Sequence, residues 1–88
     1  MHSNYPNPFN PSTIISYSIP ENADVSLSIF DMRGRMIKSL VNENQARGRY
    51  LVEWNATDDY GNNVGAGAYI YQLRSGNKTF SQKMILMK

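Results

Sequence analysis

Trp54 to Tyr71, WNATDDYGNNVGAGAYIY, is the stretch whose reading decides the fold. It holds the single tryptophan, a dense run of turn residues and then a clean alternation. Gly61, Gly65 and Gly67 punctuate it, with Asp58, Asp59, Asn62 and Asn63 between them. Glycine frees the backbone and Asx side chains bond their own main chain, so this is a built loop between two strands. Such a loop either binds a ligand or holds two sheet edges in register, and the second is the expectation here. Beyond the loop, Tyr69, Tyr71 and Leu73 share one face of a strand, and Ala68, Ile70 and Gln72 share the other. Before it, Gly48 opens a strand with Tyr50, Val52 and Trp54 on one face and Leu51 and Glu53 on the other. A period of two is the signature of a half-buried strand.

The same period recurs outward in both directions. Downstream, Ser75-Gly76-Asn77 is a tight turn, and Lys78 to Met87 returns as a last strand whose end, MILM, is apolar on both faces and has to be covered. Upstream, Ile15, Tyr17 and Ile19 alternate with serines until Pro20. After a turn at Glu21–Asp24, Val25, Leu27 and Ile29 alternate with Ser26 and Ser28. Asp31-Met32-Arg33-Gly34 reads as a hairpin turn. Met36 to Val41 is ambiguous, because Met36, Ile37, Leu40 and Val41 also suit one face of a helix. Its short length and the preceding turn favour a strand. Asn42 to Arg47 is polar and reads as a loop. At the front, Pro6, Pro8 and Pro11 predict an extended, polyproline-like lead-in over residues 4–12 without a ladder of its own. It could serve as a linker or a ligand for a proline-reading domain; the expectation is that Tyr5 and Phe9 pack down onto the domain.

Six or seven strands at spacings of about 8–12 residues, and no convincing helix, predict an all-β, immunoglobulin-like antiparallel β-sandwich of about seven short strands. Residues 13–88 form this single domain, and Met1-His2-Ser3 reads as an added start ahead of the natural sequence. A chain of 88 residues buries only about 60–65% of the surface its unfolded form exposes, enough for one core but not for a deep substrate cavity as well. With no cysteine, no disulfide or thiolate metal site helps, and Trp54 with its aromatic neighbours must fill the space between the sheets.

Charge and chemistry narrow the function classes. Nine basic and seven acidic residues leave a net charge of +2, and the basic residues are scattered. That argues against nucleic-acid binding, which needs a clustered patch or a reader motif. No apolar run approaches the ~20 residues of a membrane span, and no signal peptide is visible. The only histidine is His2, so no Ser-His-Asp or Cys-His arrangement exists. Asp58 and Asp59 are adjacent and cannot flank a glycosidic bond at the ~5–9.5 Å that glycosidases use. The chain reads as a non-enzyme without a cofactor. Asp58, Asp59, Asn62 and Asn63 are weak calcium candidates, since the EF-hand spacing and its bidentate Glu are missing, and turn bonds account for them. Tyr50, Trp54, Tyr60, Tyr69 and Tyr71 raise a carbohydrate-binding face, but parity puts all except Tyr60 in the core. Tyr60 is the aromatic expected to be exposed for ligand contact.

Taken in order, these residues resemble a known family. Tyr5-Pro6-Asn7-Pro8-Phe9-Asn10-Pro11, then a strand ending in Pro20-Glu21, looks like the start of the type A C-terminal sorting domain of the type IX secretion system. The likeness runs on through Val25-Ser26-Leu27-Ser28-Ile29-Phe30-Asp31, Gly34-Arg35, Gly48, Tyr50, Trp54, Asp58, Gly61, Val64, Gly67 and Tyr69. It ends in Lys83-Met84-Ile85-Leu86-Met87-Lys88. The Ig-like domain of the flagellar hook-capping protein is similar from Val25 to Leu73. The chain departs from the sorting pattern at Asn55-Ala56, where Asp-Gly is usual, and at Ala66, where Ser is usual. The resemblance implies a module at the end of a larger cargo protein, in transit through the periplasm and then secreted or held at the cell surface. It implies an outer-membrane translocon and a sortase-like peptidase as partners. It implies Pro6, Asn7, Pro8, Gly67, Tyr69 and Lys83, Met84, Ile85, Leu86, Met87 and Lys88 as the recognition elements. The terminal strand, apolar and basic at once, would be read by strand addition, and its open edge could also support a dimer. The alternative is a structural or carbohydrate-binding accessory module of an extracellular enzyme.

Overall fold

Alternation places one face of each strand in the interior, and the computed structural model, which describes residues 4–8 and 11–87, has six such strands. They are β1 (Thr13–Ile19), β2 (Ala23–Asp31), β3 (Met36–Gln45), β4 (Gly48–Trp54), β5 (Gly67–Ser75) and β6 (Lys78–Leu86). β1 and β4 pair as a two-stranded antiparallel sheet, and β3-β2-β5-β6 form a four-stranded antiparallel one. The chain passes between the sheets after β1, after β3 and after β4. The core between them is built from the residues that share parity: Ile15, Tyr17 and Ile19; Val25, Leu27 and Ile29; Trp54; Tyr69, Tyr71 and Leu73; Met84 and Leu86. Burial of each large apolar side chain here stabilises the fold by about 1.5–3 kcal/mol. The fold is the expected all-β, Ig-like sandwich.

Trp54 fills the centre without a disulfide. It is fully buried, and Tyr69 meets it edge-on with ring centroids 5.3 Å apart. Tyr17 and Tyr50 stack across the small sheet at the same 5.3 Å, nearly parallel at 18°. The hairpin between β5 and β6 has Gly76 at φ 61°, the positive angle that the first position of a tight two-residue turn requires and that glycine adopts without strain.

β3 departs from expectation in two ways. It is a strand, but it runs on through Asn42–Gln45, read above as loop, and pairs there with Ala23–Ser26, two residues of which were read as turn. The polar tail is held because Gln45 is buried and its Oε1 accepts the Tyr17 hydroxyl at 2.7 Å. Burial pushes the Tyr17 phenol above its ordinary pKa, and the Gln45 bond only partly opposes this. The helix-like spacing of Ile37, Leu40 and Val41 has a different cause. The register against β2 shifts between Leu27 and Ser28 and again between Ile29 and Phe30. Each shift inserts an extra residue, and so Ile37, Leu40 and Val41 all reach the core from one strand.

The lead-in also differs. The segment has cis peptides at Tyr5–Pro6 and Asn7–Pro8. It does have a ladder contact: Tyr5 and Ile14 exchange main-chain bonds at 2.9 and 2.8 Å on the free edge of β1. The Tyr5 ring, expected to pack down, is 80% exposed, while Phe9 lies outside the described residues.

Candidate functional site

The residues expected to form a recognition surface come from the two ends of the chain and from β5, and the fold gathers them. Antiparallel pairing sets Gly67 opposite Leu86, Ala68 opposite Ile85 and Tyr69 opposite Met84. β6 is the last strand of its sheet, so its outer edge carries main-chain groups that no strand satisfies among the described residues. Asn7 reaches that edge. Its Oδ1 accepts the Ile85 amide at 3.0 Å, and its Nδ2 donates to the Lys83 carbonyl at 3.5 Å, the weaker arm. Pro6-Asn7-Pro8, Gly67, Tyr69 and Lys83–Met87 therefore make one cluster, with Lys88 outside the described residues.

Within the cluster the side chains divide. Pro6, Asn7, Pro8, Gly67, Lys83 and Met87 are exposed and Ile85 is half-buried. Tyr69, Met84 and Leu86 are core residues and cannot be touched by a partner while the domain is folded. Tyr69 instead supports the entry to β5: its hydroxyl donates to the Gly65 carbonyl at 2.5 Å. Burial raises its pKa, and the Asp31 charge adds to the rise. Gly67 holds φ 146°, and a Cβ there would meet nothing within 4 Å. The glycine is thus required by backbone conformation, not by space.

The lead-in is placed by residues that the sequence did not single out. Asn4 is buried, and its Nδ2 donates to the Pro6 carbonyl at 3.1 Å and to Thr13 Oγ1 at 2.9 Å. Thr13, also buried, donates to the same Pro6 carbonyl at 2.8 Å. Burial raises the Tyr71 phenol, and a backbone hydrogen bond from Asn4 works against the rise. Asn4 Oδ1 has no hydrogen-bond partner among the described residues. No spacing or periodicity marks Asn4, because its partners are a proline carbonyl and a strand residue met only in the fold.

The loop from Asn55 to Ala66 is organised on itself and on β3. Trp54 Nε1 donates to the Thr57 carbonyl at 2.8 Å, and Asp58 Oδ1 accepts the amides of Tyr60 and Asn62, both at 2.9 Å. Asp59 docks the loop onto the free edge of β3: its amide donates to the Ile37 carbonyl at 3.1 Å and its Oδ1 accepts the Ser39 amide at 3.0 Å. Lys38 Nζ reaches Thr57 Oγ1 and the Asp58 carbonyl at 3.4 and 3.3 Å. The two carboxylates considered for calcium thus each bind main-chain amides. Among the described residues no group of three or more His, Cys, Asp or Glu is placed to hold a metal. Ala56 occupies φ 62° while buried, where glycine is the easier residue. Of the aromatics weighed for sugar binding, Tyr60 is 90% exposed, whereas Trp54, Tyr69 and Tyr71 are buried and Tyr50 is half-buried against Tyr17.

No curated protein matches the chain. Among solved structures, PorU of Porphyromonas gingivalis, in its dimeric latent form, is similar over 97% of this chain and 9% of its own length, with 23% identity and a TM-score of 0.74. PorZ of the same organism, described as an essential bacterial surface component of the type IX secretion system, is similar over 98% of this chain and 11% of its own length (21% identity, TM-score 0.67). FlgD of P. aeruginosa is similar over 85% of this chain and 60% of its own length (23% identity, TM-score 0.65). The chain thus spans less than two thirds of each of these proteins, and at such identities the likeness is one of fold. The sequence profile of the FlgD Ig-like domain matches residues 7–79, from the asparagine on the β6 edge to the start of β6 itself, and the chain belongs to the FlgD Ig-like domain family.

Proposed function

We propose that this Ig-like domain is a non-catalytic C-terminal sorting domain that directs a covalently linked cargo protein through a type IX outer-membrane translocon. The observation that carries the reading is the contact of Asn7 with Lys83 and Ile85, which joins the Pro6-Asn7-Pro8 segment to the terminal strand across 78 positions of sequence. A transport signal read in the folded state needs a stable body and a distinctive exposed edge. The sandwich supplies the body. β6 supplies an edge with Lys83 exposed, Ile85 half-buried and Met87 exposed beside a proline-flanked asparagine. The likeness to a domain-sized part of PorU and of PorZ, the latter a surface component of that secretion system, supports the reading. Recognition through the edge would use strand addition, in which main-chain bonds provide affinity and alternate side chains provide specificity. Because Tyr69, Met84 and Leu86 are buried, their part is to shape the edge, and contact falls to the exposed members.

The test is a reporter fusion. Residues 4–88 are placed at the C-terminus of a signal-peptide-bearing fluorescent protein in a bacterium with an active type IX system. Fluorescence in the medium or at the cell surface, lost in a translocon mutant and lost on deletion of Ile85–Lys88, is the expected result. Periplasmic retention of a folded fusion overturns the reading and leaves a structural or glycan-binding accessory module, for which Tyr60 is the first residue to probe.

A further inference from the structure

We infer that the outer edge of β6 is a docking surface for the β6 strand of a second copy of this chain, and that Asn7 keeps it closed. The inference rests on the geometry of the edge and not on the sorting role. In an antiparallel strand the main-chain groups of alternate residues point to the same side. Asn7 shows which set faces outward, since it binds the Lys83 carbonyl and the Ile85 amide. Thr79 and Ser81 have the same parity and present their groups the same way. No strand covers any of the four among the described residues. The Asn7 amide offers one acceptor and one donor, the pair that a neighbouring strand would offer, so it occupies the edge as a strand mimic.

The closure is slight. The opposite edge of the sheet, on β3, is covered by a loop that contributes the Asp59 amide as well as its carboxylate. On β6 the plug is one exposed side chain with a 3.5 Å arm. The sequence of β6 suits a copy of itself. Antiparallel pairing with Ser81 opposite Lys83 and Thr79 opposite Ile85 satisfies the outward groups of all four residues. It never sets Lys83 against Lys83, and so avoids the like-charge pairs that destabilise facing strands. In that register Gln82 meets Gln82 on the two-fold axis. The result is a closed, two-fold symmetric pair with one continuous sheet.

The test is the oligomeric state of the 88-residue chain by light scattering and sedimentation over a concentration series. Wild type is expected to be monomeric to about 100 µM, and Asn7→Ala to dimerise at least about tenfold more tightly, the factor set by losing a competing hydrogen bond. Asn7→Asp, which keeps the size but turns an oxygen towards the Lys83 carbonyl, should act in the same direction. Adding Ser81→Pro to either variant should restore the monomer, because that amide points outward and is not used by the β5–β6 ladder. Asn7 variants that stay folded by circular dichroism and monomeric overturn the inference. So does a dimer that forms equally in wild type, or one that survives Ser81→Pro.

Discussion

Two segments close the two sides of this sandwich, and they do so with the same chemistry in different strengths. Residues 4–8 run from the free edge of β1, at Ile14, to the free edge of β6, at Lys83 and Ile85. The loop after β4 runs to the free edge of β3, at Ile37 and Ser39. Each segment delivers an Asx residue that accepts the amide of residue i+2 while a donor meets the carbonyl of residue i. The loop supplies its donor from the main chain, is braced by Asp58, and is tied at its root to Trp54. The lead-in supplies both groups from one side chain and is braced by buried Asn4. The difference teaches which edge is sealed by main chain and side chain together and which by one side chain alone. Unpaired edges invite aggregation, so both need covering, but only the β6 edge carries a cover that a competing strand can displace.

The largest expected effect strikes the loop at its root. Trp54→Ala removes a fully buried indole and the bond to Thr57, and should cost about 3–5 kcal/mol by denaturant titration. Next come the two braces. Asp58→Ala deletes the acceptor of two amides, and Asn4→Ala deletes two side-chain bonds while also removing an Oδ1 that has no partner among the described residues. Each should cost about 1–2 kcal/mol, with Asn4→Ala at the lower end because an unsatisfied acceptor goes with it. Gly67→Ala should cost about 1 kcal/mol, since its positive φ and not a clash sets the penalty. Asn7→Ala should cost less than about 1 kcal/mol, being an exposed bond with one long arm, although its effect on association is large. The smallest effect belongs to the β2–β3 turn, outside both closures. The Arg35 amide, chiefly, holds the Asp31 carboxyl below the usual carboxylate range, helped by the Arg35 guanidinium at 2.9 Å. A depressed folded pKa means that this contribution is present above the unfolded value, about 3.9, and is lost as pH falls through the folded one. Asp31→Asn should therefore remove a small part of the acid limb of the stability curve below about pH 4 and leave the lead-in untouched.

Most of the fold was legible because alternation is a direct image of two-sided burial. Ile15, Tyr17 and Ile19, or Val25, Leu27 and Ile29, could only face one way. The failures lie where tertiary partners override that image. Asn42–Gln45 looks like loop because it is polar, yet it is a strand held from outside by Tyr17. Ile37, Leu40 and Val41 carry a helix-like spacing because two bulges break the period of two, and bulges leave no residue signature of their own here. The Asx-rich loop was legible as a clasp between sheet edges, though not that Asp59 would be its pin. For the candidate site, the family resemblance pointed at both ends of the chain. That Asn7 and Ile85 touch was not readable, since nothing local links residues 78 positions apart. Nor was it readable that Tyr5 bonds through its backbone and leaves its ring in solvent.

The most direct test of this account is amide hydrogen exchange, residue by residue, along the outer edges of β3 and β6. The account predicts that Ser39 and Ile85 are protected while the outward amides of Ser81 and Lys83 exchange fast. Asp59→Ala should release Ser39 alone, and Asn7→Ala should release Ile85 alone. Exchange at Ile85 as fast as at Ser81 in the wild-type chain would contradict the claim that Asn7 seals the β6 edge.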